Sequence, residues 1–132
     1  MAQNITKGVS TLLEEANKIV KTLSVAEAKS LYDNPDYVFV DLRDIRELQR
    51  NGQIPGAFSC PRGMLEFWID PKSPYHKPVF NQEKIYVFYC ASAWRSALSA
   101  KAAQEMGLTP VFHLEGGFSQ WVKEDGPVVS KE

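Results

Sequence analysis

The segment Lys84-Ile85-Tyr86-Val87-Phe88-Tyr89 runs directly into Cys90, three small residues and an alanine-rich stretch. It constrains the fold more than any other part of the chain. The run is nearly continuous in apolar character, as parallel strands covered on both faces tend to be. Trp94 to Met106 then reads as a helix, with Ala97, Ala100, Ala102 and Ala103 giving high propensity and Gly107 closing it. A buried strand that feeds a helix through a short loop is the repeating unit of an α/β sheet.

The rest of the chain repeats that alternation. Thr11 and Glu14, then Ser24 and Glu27, have capping-box spacing, predicting helices from Thr11 to about Val20 and from Ser24 to near Tyr32. Asp33-Asn34-Pro35-Asp36 is a turn. Tyr37 to Val40 is a strand ending at Asp41, and Asp44 to Arg50 a short helix stopped by Asn51-Gly52. A short strand follows at Phe58 to Cys60, then one or two helical turns at Gly63 to Trp68 and an irregular stretch from Asp70 to Pro78. Val111 to Leu114 is a further strand, and Phe118 to Lys123 a last helix. The pattern predicts an α/β domain of three layers, with a mostly parallel central sheet and helices on both faces.

At 132 residues, the chain has the length of one domain that can build its own core. A net charge of −1 disfavours a partner that tracks nucleic-acid phosphates. The chain has no apolar run of bilayer-spanning length, and Glu14 and Glu15 speak against a signal peptide. Two cysteines, Cys60 and Cys90, make neither a disulfide framework nor a CxxC pair. With His76 and His113 as the only histidines, no metal-ligand spacing is recognisable. The expectation is a cytoplasmic, reducing setting.

Sites in open α/β sheets form beyond the carboxyl ends of strands. Asp41, Cys90 and the Leu114-Glu115 turn fall there. Cys90-Ala91-Ser92-Ala93-Trp94-Arg95-Ser96 joins a strand to a helix N-terminus, where backbone N–H groups and the helix dipole favour a negative charge. A cysteine at the start of that loop should have a lowered pKa, and Arg95 offers a forked cation for an anion. The same cysteine could equally be a packed core residue. Cys60, among Phe58, Pro61 and Met64, reads as structural.

Four segments, in order, resemble the rhodanese-homology family over about residues 20–128. Val40-Asp41-Leu42-Arg43-Asp44-Ile45-Arg46-Glu47 is similar to its D-x-R-x-x-x-E stretch, and Gly52-Gln53-Ile54-Pro55-Gly56-Ala57 to its G-H-I-P-G-A. Cys90 to Ser96 is similar to its C-x-x-G-x-R-S loop, and Gly116-Gly117-Phe118-Ser119-Gln120-Trp121 to its G-G-x-x-x-W. The resemblance implies a sulfurtransferase. Cys90 would take a sulfane sulfur from thiosulfate or a protein persulfide and pass it, as a persulfide, to a thiol or cyanide. Ala91, Ser92, Ala93, Trp94, Arg95 and Ser96 would form the substrate loop, supported by Asp41 and Arg43, without metal or organic cofactor. Arg43 is expected to pair with Glu47 at i,i+4 or to hold the loop network. Two residues depart from the family pattern. Ala93 stands in place of glycine, where a positive φ would strain alanine, and Gln53 in place of histidine. Trp94 either lines the pocket or starts the helix with its ring buried. Arg95 either contacts an anion or makes a structural ion pair.

Three rivals stand beside this reading. A cysteine phosphatase or arsenate reductase needs a loop one residue longer between cysteine and arginine than the four residues found here. A non-enzymatic interaction module would not need the cysteine. A persulfide carrier serving one protein partner would have poor activity on thiosulfate. Residues 1–20 form an N-terminal helical extension to a rhodanese-like domain at 21–132. Leu12, Leu13, Ala16, Ile19 and Val20 recur near helical spacing, fitting packing on the domain or a contact in a homodimer.

Overall fold

The computed structural model describes residues 2–131. Among these residues, five strands and six α-helices alternate. The strands are β1 (Lys21–Leu23), β2 (Tyr37–Asp41), β3 (Phe58–Ser59), β4 (Ile85–Tyr89) and β5 (Val111–Leu114). The helices are α1 (Val9–Ile19), α2 (Val25–Lys29), α3 (Ile45–Asn51), α4 (Leu65–Ile69), α5 (Trp94–Met106) and α6 (Gly117–Lys123). The strands form one sheet in the order β1-β5-β4-β2-β3, and every pairing is parallel.

The apolar strand is central because both of its faces are covered. Tyr86 and Phe88 point into one core with Val40, Leu42, Cys60, Leu65, Ala100 and Ala103. Val87 and Tyr89 point into the other with Phe39, Leu114, Phe118 and Trp121. The two-residue period of a strand thus divides one apolar run between two layers. On α5 the buried face is Ser96, Ala97, Ser99, Ala100 and Ala103, all small, so this helix lies close against the sheet.

Local chemistry sets most element ends. Ser24 and Glu27 form the expected capping box, and Asp44 and Glu47 form another that opens α3. The Thr11 box is not used. The first helix begins at Val9, placing Thr11 inside it, and Gly8 precedes it without a side-chain cap. The second helix stops at Lys29, short of Tyr32, and turns carry the chain onward. Strand β1 has no counterpart among the expected elements. It is three residues long with one buried side chain, too short to show a period. Within the stretch after Asp70, a 3₁₀ turn spans Pro78–Phe80. The extension α1 packs on the domain, with Ala16 fully buried and α5 as its main neighbour.

Candidate active site

Cys90 leaves the end of β4, between β5 and β2, and is fully buried. Its Sγ accepts a hydrogen bond from the Ser96 backbone N–H at 3.3 Å. That donor belongs to the first turn of α5, whose N-terminal N–H groups have no intrahelical partner. The loop between them turns at Ala93, which has φ 75° in the left-handed region. Behind the loop, the Phe118 and Ser119 N–H groups donate to the Cys90 and Ala91 carbonyls at 2.8 and 3.1 Å. The loop is therefore held between the starts of α5 and α6.

Arg95 spreads both terminal nitrogens over Glu47, each at 2.9 Å from a carboxylate oxygen. The hydrogen bonds from Arg95 hold the Glu47 carboxyl down to about 2, against the opposing effect of burial. Glu47 also accepts from the Asp44 N–H, so one carboxylate caps α3 and ties it to α5. Of the two roles open to Arg95, the structure places it in the ion pair.

The expected Arg43–Glu47 pair does not form. Arg43 lies ahead of the Asp44 N-cap, outside the helical register that makes i and i+4 neighbours. It turns inward instead, donating to Asp41 from Nε at 3.0 Å and from a terminal nitrogen at 2.7 Å. The same terminal nitrogen reaches the Gly52 carbonyl at 2.8 Å, and the guanidinium lies 4.1 Å from the centre of the Phe118 ring. Both partners are buried. Asp41 and Arg43 thus brace the wall behind the loop.

Trp94 begins α5 with 61% of its surface exposed, so its ring is not buried. Arg62 pairs with Glu66 at 2.8 Å. Gln53 is buried and bridges its backbone to Val129, in keeping with a packing role. Burial pushes the Cys60 thiol up to about 12, the mark of an unreactive core cysteine. Trp121 is buried and donates to the Pro127 carbonyl, anchoring α6.

One connection was not legible in the sequence. Ser96 Oγ lies 3.2 Å from His113 Nδ1, and His113 Nε2 lies 3.2 Å from Asn17 Oδ1 and 3.2 Å from Thr22 Oγ1. Burial lowers the His113 pKa, so the ring is neutral at pH 7. Asn17 Oδ1 can only accept, which assigns the proton to Nε2 and leaves Nδ1 to accept from Ser96. The residue that donates to Cys90 is thereby tied to α1. From the sequence His113 reads as a satisfied strand histidine, as found, but its partners do not show there.

A model of the rhodanese-like domain matches residues 24–124. The chain belongs to the rhodanese-like family. A solved protein from Rhodopseudomonas palustris, described as of unknown function and a possible tyrosine phosphatase, is 56% identical with a TM-score of 0.95. The match covers 98% of this chain and 99% of that one. The mouse thiosulfate sulfurtransferase/rhodanese-like domain-containing protein 3 is 27% identical over 107 residues, 77% of this chain and 68% of its own. The tRNA uridine(34) hydroxylase of Cronobacter sakazakii is 25% identical over 120 residues, and the match covers 91% of this chain and 34% of the hydroxylase.

In a rhodanese-like loop, Ala93 carries a measurable cost. A Cβ at φ 75° crowds the neighbouring carbonyl by roughly 1–2 kcal/mol, part of which glycine returns as unfolded-chain entropy. Ala93→Gly is expected to raise stability by about 1 kcal/mol, near 4 °C in Tm. A thermal melt checks this, and an unchanged or lower Tm contradicts the strain.

Proposed function

We propose that this chain is a sulfurtransferase that works through a persulfide on Cys90. The carrying observation is the hydrogen bond from the Ser96 N–H to Sγ at the head of a 13-residue helix. A donor N–H and the positive end of a helix favour a negative sulfur, both the attacking thiolate and the persulfide that follows. In the first half-reaction, the Cys90 thiolate attacks the sulfane sulfur of a donor. A new S–S bond forms, the donor's bond breaks, and the electron pair leaves on sulfite or a thiolate. In the second, a thiol or cyanide attacks the outer sulfur and Cys90 departs as thiolate. The residues present suffice for both steps. A reducing, cytoplasmic setting suits two free thiols.

The printed description of the Rhodopseudomonas palustris relative raises phosphatase activity as a second reading. Two features weigh against it. Four residues separate Cys90 from Arg95, and that arginine is occupied on both terminal nitrogens by Glu47. A phosphoryl group would have to displace a carboxylate to reach it.

The test is intact mass after incubating the reduced protein with a sulfane-sulfur donor. The expected result is gain of one sulfur atom, removed by cyanide. Cys90→Ser should abolish the gain, and Cys60→Ser should retain it, because the Cys60 thiol is buried and protonated at neutral pH. Equal loss in both variants, or hydrolysis of p-nitrophenyl phosphate without sulfur gain, overturns the assignment.

A further inference from the structure

We infer that Asn17 of α1, acting through His113, is a positioning residue for Cys90, which makes the N-terminal extension part of the working site. This rests on the sulfurtransferase reading of Cys90. The path has three joints. Ser96 donates its backbone N–H to Cys90 Sγ at 3.3 Å, and its hydroxyl lies 3.2 Å from His113 Nδ1. His113 stands on β5, which pairs with β4, the strand that ends at Cys90. Its Nε2 faces Asn17 Oδ1 and Thr22 Oγ1, each at 3.2 Å. Ser96 is fully buried and His113 is 3% exposed, so bulk water does not reach the contact between them. Asn17 and Thr22 both precede residues 24–124, so this end of the path lies outside the matched domain. Ser96 is sealed from substrate, so the path holds the sulfur in place and supplies no second nucleophile.

The two oxygens at Nε2 are not equivalent. Asn17 Oδ1 can only accept, whereas the Thr22 hydroxyl can accept or donate. Asn17 therefore fixes the proton on Nε2 and the lone pair on Nδ1, and that lone pair takes the Ser96 hydroxyl proton. With Thr22 alone, the other tautomer is open to the ring. Thr22 then donates to Nε2, and the Nδ1–H donates to Ser96 Oγ. The Ser96 hydroxyl proton needs a new acceptor. Serine in a helix turns to the carbonyls three and four residues back. For Ser96 those belong to Ala93 and Ser92, in the loop that Cys90 opens. The Ala93 carbonyl already accepts from the Ala97 N–H at 3.2 Å, the first bond of α5. A back-bond there bends the helix start and shifts the Ser96 N–H relative to Sγ.

A set of variants along the path decides the matter. Each is read by its Tm, by the rate of sulfur gain at Cys90 from thiosulfate, and by the pH profile of Cys90 alkylation with iodoacetamide. Imidazole nitrogen NMR shifts report which ring nitrogen of His113 carries the proton, and in the wild type that should be Nε2. Asn17 is exposed, so Asn17→Ala leaves the core intact. In that variant the proton should spread onto Nδ1, and the alkylation profile should move to higher pH. Sulfur gain should slow by roughly tenfold, short of the 10²-fold that a misplacement of about 1 Å costs. His113→Asn keeps an acceptor near the Nδ1 position and has no need of Asn17. It should load near the wild-type rate, and adding Asn17→Ala to it should change nothing. His113→Leu should lose at least as much as Asn17→Ala. Ser96→Ala removes the hydroxyl and keeps the backbone N–H. Combined with His113→Leu, it should load faster than His113→Leu alone, a recovery that lost packing does not produce. Should His113→Leu fail to fold, Asn17→Ala and His113→Asn decide by themselves. Loading of Asn17→Ala at the wild-type rate, or no recovery in the Ser96 double variant, overturns the inference and leaves Cys90 sulfur transfer standing. If no protein gains sulfur, the sulfurtransferase reading fails and the alkylation profiles decide the positioning. Profiles in the same order sustain it, and identical profiles overturn it.

Discussion

Arg43→Met is expected to cost the fold about 3–5 kcal/mol, the range for removing one partner of a buried ion pair. The magnitude comes from what is left behind. Asp41 is fully buried, and Arg43 is 2% exposed. Without the guanidinium, the carboxylate keeps the Arg43 backbone N–H at 3.1 Å and loses the donors at 3.0 and 2.7 Å. The Gly52 carbonyl loses its side-chain donor as well, and the Phe118 ring loses the cation stacked on it. Methionine replaces the aliphatic volume, so the loss reads as stranded polarity more than as a void. Urea unfolding at pH 7 measures it. Asp41→Asn combined with Arg43→Met should cost less than the sum of the singles, because the stranded charge is then gone. A loss under about 1 kcal/mol for Arg43→Met would mean that water or a shifted side chain serves Asp41 instead.

These interactions also mark the limit of what the sequence made visible. The frame was legible where one physical rule dominated. Unbroken apolar character gave β4, alanine content and a closing glycine gave α5 at its observed ends, and Val111 to Leu114 matched β5. The position of Cys90, the proposed nucleophile, at the strand end followed from the same segment, because a strand running into a helix allows one short loop. Pairing partners were not legible. Glu47 and Arg43 stand four apart, which suggests a helical pair, but the Asp44 cap starts the helix between them. The true partner of Glu47 lies 48 positions away on α5. Nothing local could single it out. Strand β1 failed for want of length, and the His113 connection because it joins β5, α5 and α1 through side chains that meet only in the folded molecule. Ala93 sits between these cases. Its strain was legible only because the resembled pattern has glycine there.

Gly117→Ala is expected to displace the Cys90 loop from behind. Gly117 has φ 65°, and a Cβ there would lie 2.6 Å from the Cys90 carbonyl oxygen and 2.7 Å from the Ala91 carbonyl carbon and oxygen. All three atoms are backbone, so no side chain can swing aside. Either the loop or the start of α6 must move, and movement breaks the Phe118 and Ser119 hydrogen bonds that hold the loop. Left-handed strain and overpacking together predict a stability loss of roughly 2–4 kcal/mol. The larger consequence is kinetic. Displacing Cys90 relative to the Ser96 N–H by about 1 Å should slow sulfur loading by roughly 10²-fold. Gly107→Ala separates the two effects. Gly107 has φ 104° with open space around its missing Cβ, so alanine there adds backbone strain without steric contact. It closes α5 at the end remote from Cys90. Its variant should lose about 1 kcal/mol and load sulfur at the wild-type rate. If both variants load alike, the contact between Gly117 and the loop carbonyls does not govern the position of the sulfur. If only Gly117→Ala fails while still folded, the clamp from α6 is as necessary to Cys90 as the helix that donates to it.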